Sequence, residues 1–223
     1  MKSSREFLDI STKDYPVRGF LHRPKVAKGD GLVLTHGAGT NCQSPLLVAL
    51  ANAFCEAGLM VLRCDLPFRQ SRPNGPPPRG SAERDQAGLS AAVSALRRKA
   101  KGRVFFGGHS YGGRQASMVA AAEPGLAAAL LLLSYPLHPP ERPDVMRTGH
   151  FAELRTPALF VHGTCDGFGS LAEMEAAMGL IPARTALLAI PGAGHELLVG
   201  RNRAELPGLV VENFLKFVTG ADG

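Results

Sequence analysis

One serine, one aspartate and one histidine in this chain have the types and order needed for nucleophilic chemistry. Ser110 stands in Gly107-Gly108-His109-Ser110-Tyr111-Gly112-Gly113, which contains G-x-S-x-G. The apolar run Arg103-Val104-Phe105-Phe106 precedes it and an alanine-rich helical segment follows. That strand–turn–helix setting is what a nucleophile elbow requires. The requirement is steric, since a serine on a strained turn needs neighbours without side chains. The following helix then presents its N-terminus, where the dipole favours developing negative charge. The alternative is a glycine-rich turn with an incidental serine. The segment is not a dinucleotide loop, because no G-x-G-x-x-G opens a helix here.

An acid and a base must follow such a serine in that order. Asp166 comes in Phe160-Val161-His162-Gly163-Thr164-Cys165-Asp166, directly after an apolar run, and His195 closes Pro191-Gly192-Ala193-Gly194-His195, after the last such run. Histidine is the side chain suited to general-base work, and His195 is the candidate for it. Asp166 would fix its tautomer and stabilise the imidazolium. Either residue also reads as a turn residue, and Asp166 as a helix N-cap. Asp144 and Glu173 compete for the acid role, but Asp144 lacks a preceding strand end and Glu173 sits too far along its helix; Glu196 adjoins the base but is expected to project the wrong way. The backbone N–H groups of Tyr111 and Ala38 are the candidate oxyanion donors, Ala38 because glycines flank it. His36 reads as a hydrogen-bonding loop residue, His109 as packed beneath the elbow and His162 as structural, while His138 and His150 fall in a loop. No histidine or cysteine set has metal-ligand spacing, so neither a metal nor another cofactor is expected. Cys42 and Cys165 lie near the site in sequence, without a pattern that favours them over Ser110.

Elements must bring these segments together. Glu6–Ile10 and Val17–His22 read as an opening strand pair. Gly31–Thr35, Leu59–Cys64, Arg103–Phe106, Ala128–Ser134, Ala158–His162 and Thr185–Ile190 read as strands with near-continuous apolar character. Helices are predicted over Pro45–Ala57 with Ser44 as cap, from Ser81 to about Ala100, and over Arg114–Ala122, Leu171–Met178 and Glu205–Val218. Asp65–Arg79 and Tyr135–Phe151 are proline-rich loops. The alternation predicts a three-layer α/β/α sandwich around a mostly parallel, doubly wound sheet. Sites in such sheets form beyond the carboxyl ends of the strands, where each chemical motif falls.

The 223 residues fit one domain, 1–223, since single cores stop growing near roughly 250–300 residues. An apolar fraction of 45% argues against disorder. The net charge of +6 comes from scattered basic residues, so a solvated surface is expected rather than nucleic-acid binding. The four cysteines read as reduced core thiols. The first ten residues lack the apolar stretch of a signal peptide, and no run suggests a membrane span. A cytoplasmic monomer or homodimer is the expectation.

HGAG, GGHSYGG, HGTCDGFG and PGAGH, in this order, resemble the α/β-hydrolase superfamily over nearly the whole chain. Within it the chain resembles the small, capless branch similar to dienelactone hydrolase. Thr35-His36-Gly37-Ala38, Gly107 to Arg114 and Ser134-Tyr135-Pro136-Leu137 resemble, more closely, the group of a nuclear acetyltransferase-complex regulatory subunit and its testis-expressed relatives. The resemblance implies about eight strands, only the first antiparallel, with no cap domain. Dienelactone hydrolase itself carries a cysteine where this chain has Ser110. The expected activity is a serine hydrolase of carboxylic-ester type, cleaving a small ester, thioester or related acyl substrate through an acyl-enzyme. The alternatives are an interaction module that keeps the fold, or acyl transfer or perhydrolysis from the same triad. Without a cap, loops must build the acyl pocket, and Phe68, Leu137 and His138 are the candidate liners.

Overall fold

A computed structural model describes residues 4–220. Eight strands form one sheet in the order β1-β2-β4-β3-β5-β6-β7-β8. They are β1 (Ser4–Asp9), β2 (Val17–His22), β3 (Gly31–Thr35), β4 (Met60–Cys64), β5 (Val104–His109), β6 (Leu130–Leu133), β7 (Ala158–Gly163) and β8 (Thr185–Ile190). β2 runs antiparallel to both β1 and β4, and every later pairing is parallel. The antiparallel pair is the predicted opening hairpin.

The central strands read as unbroken apolar runs because both of their faces are covered. Leu32, Leu34, Phe105, Leu131, Leu133, Leu159 and Val161 face a core closed by α1 (Pro45–Glu56) and α6 (Leu206–Thr219). Their alternates Val33, Phe106, Leu130, Leu132 and Phe160 face a second core under α3 (Ala82–Arg97), α4 (Tyr111–Ala122) and α5 (Leu171–Met178). The period of two along each strand thus divides one sheet between two cores.

Three local features differ from the sequence expectation. The proline-rich stretch after β4 holds a short helix, α2 (Pro67–Ser71), started by Pro67 at its first turn. Helix α4 begins at Tyr111 rather than Arg114. Gly112 is a poor helix former, yet tertiary contact requires it, since a Cβ there would lie 2.5 Å from the main-chain oxygen of His36. Ser81 and Ser44 do not cap through their side chains; the Ser81 hydroxyl instead donates to Asp85 at 3.2 Å. The helix with a full capping box is α5, where Ser170 and Glu173 bond reciprocally.

Candidate active site

Ser110 occupies the corner between β5 and α4 with φ 51° and ψ −117°. A non-glycine residue at positive φ is strained and persists only where its surroundings fix it. Here its N–H donates to Leu133 O at 2.8 Å, and its own carbonyl accepts from Arg114 N–H at 2.9 Å. Both bonds tie the corner to β6 and to the first turn of α4.

The Oγ of Ser110 lies 2.8 Å from His195 Nε2. On the other side of the ring, His195 Nδ1 is 2.8 Å from Asp166 Oδ2 and 3.0 Å from Oδ1. A carboxylate only accepts, so Nδ1 carries the proton and Nε2 is left to receive one from the serine. The Asp166 side chain is fully buried, whereas that of His195 keeps 19% of its exposure, enough for a substrate to reach the ring edge. Burial alone would raise the Asp166 pKa. The hydrogen bond from His195, the N–H of Phe168 at 2.9 Å and the neighbouring imidazoles outweigh it, and the carboxyl sits below its usual range.

The strand ends position this line of groups. Asp166 lies in the turn after β7, and His162 holds that turn by donating Nε2–H to Gly169 O at 2.7 Å. Gly163 lets the β8 loop close over it, because a Cβ there would fall on the carbonyl of Ala193. His109 sits beneath the elbow as expected and donates to His195 O. Burial pushes the His109 pKa down, which keeps the ring neutral.

Tyr111 opens α4, so its N–H has no intrahelical acceptor. Ala38 follows β3 in a turn closed by Thr40 N–H to Gly37 O. The turn lies against the serine, since a Cβ on Gly37 would stand 3.5 Å from Ser110 Cβ. His36 is the buried loop residue anticipated: Nδ1–H donates to Gly37 O at 2.8 Å, and Nε2 accepts from Leu66 N–H at 3.1 Å. Its pKa is lowered by burial.

The expected pocket liners are placed differently. Phe68 and Leu137 keep only 2% and 0% of their exposure and belong to the core. Phe68 packs edge-on against Tyr111, with ring centroids 5.7 Å apart. Leu137 packs where a side chain on Gly169 would stand. His138 is also buried, with Nδ1 donating to Pro139 O at 2.8 Å. Buried to this degree, these residues offer little surface to a ligand. Of the four cysteines, Cys42, Cys55 and Cys64 are buried as expected but Cys165 is exposed. Burial pushes the Cys42 thiol up to about 12, far from a thiolate nucleophile.

Two further residues pack against the site without a role read from the sequence, Phe168 although it stands within HGTCDGFG and Asp85 outside every motif. Phe168 packs over the His195 ring in a tilted stack, at 4.1 Å between centroids and 30° between planes. Asp85, buried on α3, accepts from the Tyr111 hydroxyl at 2.7 Å and from Phe68 N–H at 2.9 Å. An acid inside an amphipathic helix reads as solvated until the fold buries it. Among the described residues, no group of three or more His, Cys, Asp or Glu could hold a metal ion, and no helix is long and apolar enough to cross a membrane.

A strained serine, an imidazole and a buried carboxylate at the carboxyl edge of a doubly wound sheet define the alpha/beta hydrolase class. The chain belongs to the family described as Alpha/beta hydrolase domain, which it matches over residues 28–209. Solved structures share the fold over nearly their whole lengths. A dienelactone hydrolase from Anabaena variabilis is 22% identical, covers 96% of this chain and 99% of its own, and has a TM-score of 0.76. An alpha-beta serine hydrolase homologue from Coxiella burnetii is 19% identical, with coverages of 94% and 96% and a TM-score of 0.76. A serine hydrolase without lid from Xanthomonas campestris is 17% identical, with coverages of 97% and 95% and a TM-score of 0.74.

Proposed function

We propose that this hydrolase cleaves small carboxylic esters, thioesters or related acyl compounds, with Ser110 as nucleophile, His195 as general base and Asp166 as its orienting acid. The observation that carries this reading is the continuous hydrogen-bonded line from Ser110 Oγ through both nitrogens of His195 to Asp166. Nε2 takes the serine proton as Oγ attacks the acyl carbon. The N–H groups of Tyr111 and Ala38 receive the oxyanion. The imidazolium then protonates the leaving alcohol or thiol, and water repeats the sequence to free the acid. No cofactor enters any step. The proposal extends to a single-domain cytoplasmic protein, monomeric or dimeric, whose partner is the substrate rather than nucleic acid or membrane.

A fluorophosphonate probe and a p-nitrophenyl ester series test this reading. Labelling and turnover are expected in the wild-type protein and lost in Ser110→Ala. Acetyl and butyryl esters are expected to turn over faster than long-chain ones, because no cap domain shelters a long chain. The nearer resemblance of Thr35–Ala38, Gly107–Arg114 and Ser134–Leu137 to a nuclear acetyltransferase-complex subunit supplies the rival reading. A folded wild-type protein that neither labels nor turns over would favour an interaction module. Ester formation with an added alcohol in place of hydrolysis would favour acyl transfer.

A further inference from the structure

We infer that Arg69 is a positioning residue for the oxyanion hole, an inference that rests on the hydrolase reading above. Arg69 lies on α2 and keeps 5% of its exposure. Its Nε donates to Thr40 O at 2.8 Å, and Nη2 donates to Ala38 O at 2.6 Å. Nη2 also donates to Gly75 O at 2.9 Å, and Nη1 to Arg72 O at 3.0 Å. All four acceptors are main-chain carbonyls, and among the described residues no carboxylate pairs with this guanidinium. Four of the five N–H donors of an arginine are thereby used, and the buried group has little left for a ligand.

Two of the four acceptors, Ala38 O and Thr40 O, lie within the turn that carries the Ala38 N–H. The carbonyl paired with that N–H in one rigid peptide unit is Gly37 O. Gly37 O is held by His36 Nδ1–H and Thr40 N–H, and a trans peptide directs its N–H to the opposite side. Arg69 then fixes the next carbonyl, Ala38 O, so the turn cannot rotate the N–H away. The neighbouring Phe68 packs edge-on against Tyr111, whose N–H is the second donor. The guanidinium itself stands 4.8 Å from that Phe68 ring. One five-residue helix thus braces both donors. A buried cation whose hydrogen-bond acceptors are all neutral also lends positive potential to the turn it holds, and such charge acts strongly where water is excluded. The alternative is a staple that only fastens the proline-rich loop through Arg72 O and Gly75 O.

The experiment compares Arg69→Gln and Arg69→Lys with wild type on an acetyl ester. Binding of a boronic acid, which forms a tetrahedral adduct, and of the product acid is measured alongside. The expected result is a fall in kcat of about 10²-fold for Gln, with KM within roughly threefold and a smaller fall for Lys. Boronate affinity should fall by the same factor as kcat/KM while product-acid affinity stays. Thermal melts identify folded variants, and Arg69→Lys decides the matter if Arg69→Gln does not fold. Wild-type kcat in a folded variant, or a raised KM with kcat kept, would overturn the inference and leave the hydrolase reading intact. Failure of both variants to fold would assign Arg69 to folding alone and overturn it too. Absence of turnover and labelling in the wild-type protein would overturn the hydrolase reading, and this inference with it.

Discussion

His109 donates its Nε2–H to the main-chain oxygen of His195, 2.8 Å away, so the residue before the nucleophile holds the residue that faces it. The bond ties the end of β5 to the loop after β8, across a sheet in which those strands are not neighbours. Losing it frees the loop and leaves a part-buried carbonyl without this partner, which costs about 1 kcal/mol. His109→Ala is therefore expected to lower the melting temperature. It should also cut kcat more than KM, because the imidazole loses its register with Ser110 Oγ. A melt and a kcat equal to wild type would contradict this.

Asp166→Asn tests the orientation of the ring. An amide can donate to Nδ1, which would move the ring proton to Nε2 and turn that nitrogen away from its task. The equivalent change in a serine protease costs about 10⁴-fold in kcat, and a fall of about 10³–10⁴-fold is expected here. Packing should survive, since Phe168 still covers the ring. Retained turnover in folded Asp166→Asn would remove Asp166 from the triad.

Gly163 and Gly39 make a contrasting pair. A methyl on Gly163 would strike the carbonyl of Ala193, two residues before His195, whereas one on Gly39 would meet nothing within 4 Å. Gly163→Ala is expected to cost about 1–3 kcal/mol and to reduce turnover beyond what the lost stability explains. Gly39→Ala should stay within roughly 0.5 kcal/mol of wild type. Chemical denaturation and ester turnover check both, and equal behaviour of the two variants would contradict the packing described.

His22 and His150 set a pH dependence of stability. Burial first, then the charges of Arg63 and Arg114, hold each near a pKa of about 4, against an ordinary 6.5. Between those values the unfolded chain binds protons that the folded chain refuses. Stability is thus complete above about pH 6.5 and declines as pH falls toward 4, by on the order of 2 kcal/mol per histidine. Melting temperatures from pH 7.5 down to 4.5 should drop, and His22→Gln with His150→Gln should flatten the curve. A flat wild-type profile would contradict the burial of these rings. The lowered Asp166 carboxyl loses its contribution only at lower pH still.

The strands were legible in the sequence because their two covered faces leave apolar runs such as Gly31–Thr35 and Leu130–Leu133. The three residues brought into line here were legible for a related reason, since each follows such a run at a glycine-bearing turn. What stayed hidden depends on distant partners. Phe68 and Leu137 read as pocket walls because they lie in loops, yet the depth of a loop side chain is set by what packs above it. The start of α4 was displaced because propensity disfavours Gly112, while the approach of His36 O requires it. Asp85 has no local pattern, and HGTCDGFG holds Phe168 without revealing its role; both roles exist only once α3 meets α4 and the β7 turn meets the His195 loop.

The main-chain twist at Ser110 has a price of its own. Torsions of that kind cost a folded chain about 1–3 kcal/mol, and glycine would adopt them without the penalty. Ser110→Gly should therefore make a sturdier shell and a useless catalyst. A lineage rewarded only for surviving heat would have every incentive to discard that hydroxyl, and the chain instead carries a Cβ at the corner where it is least comfortable.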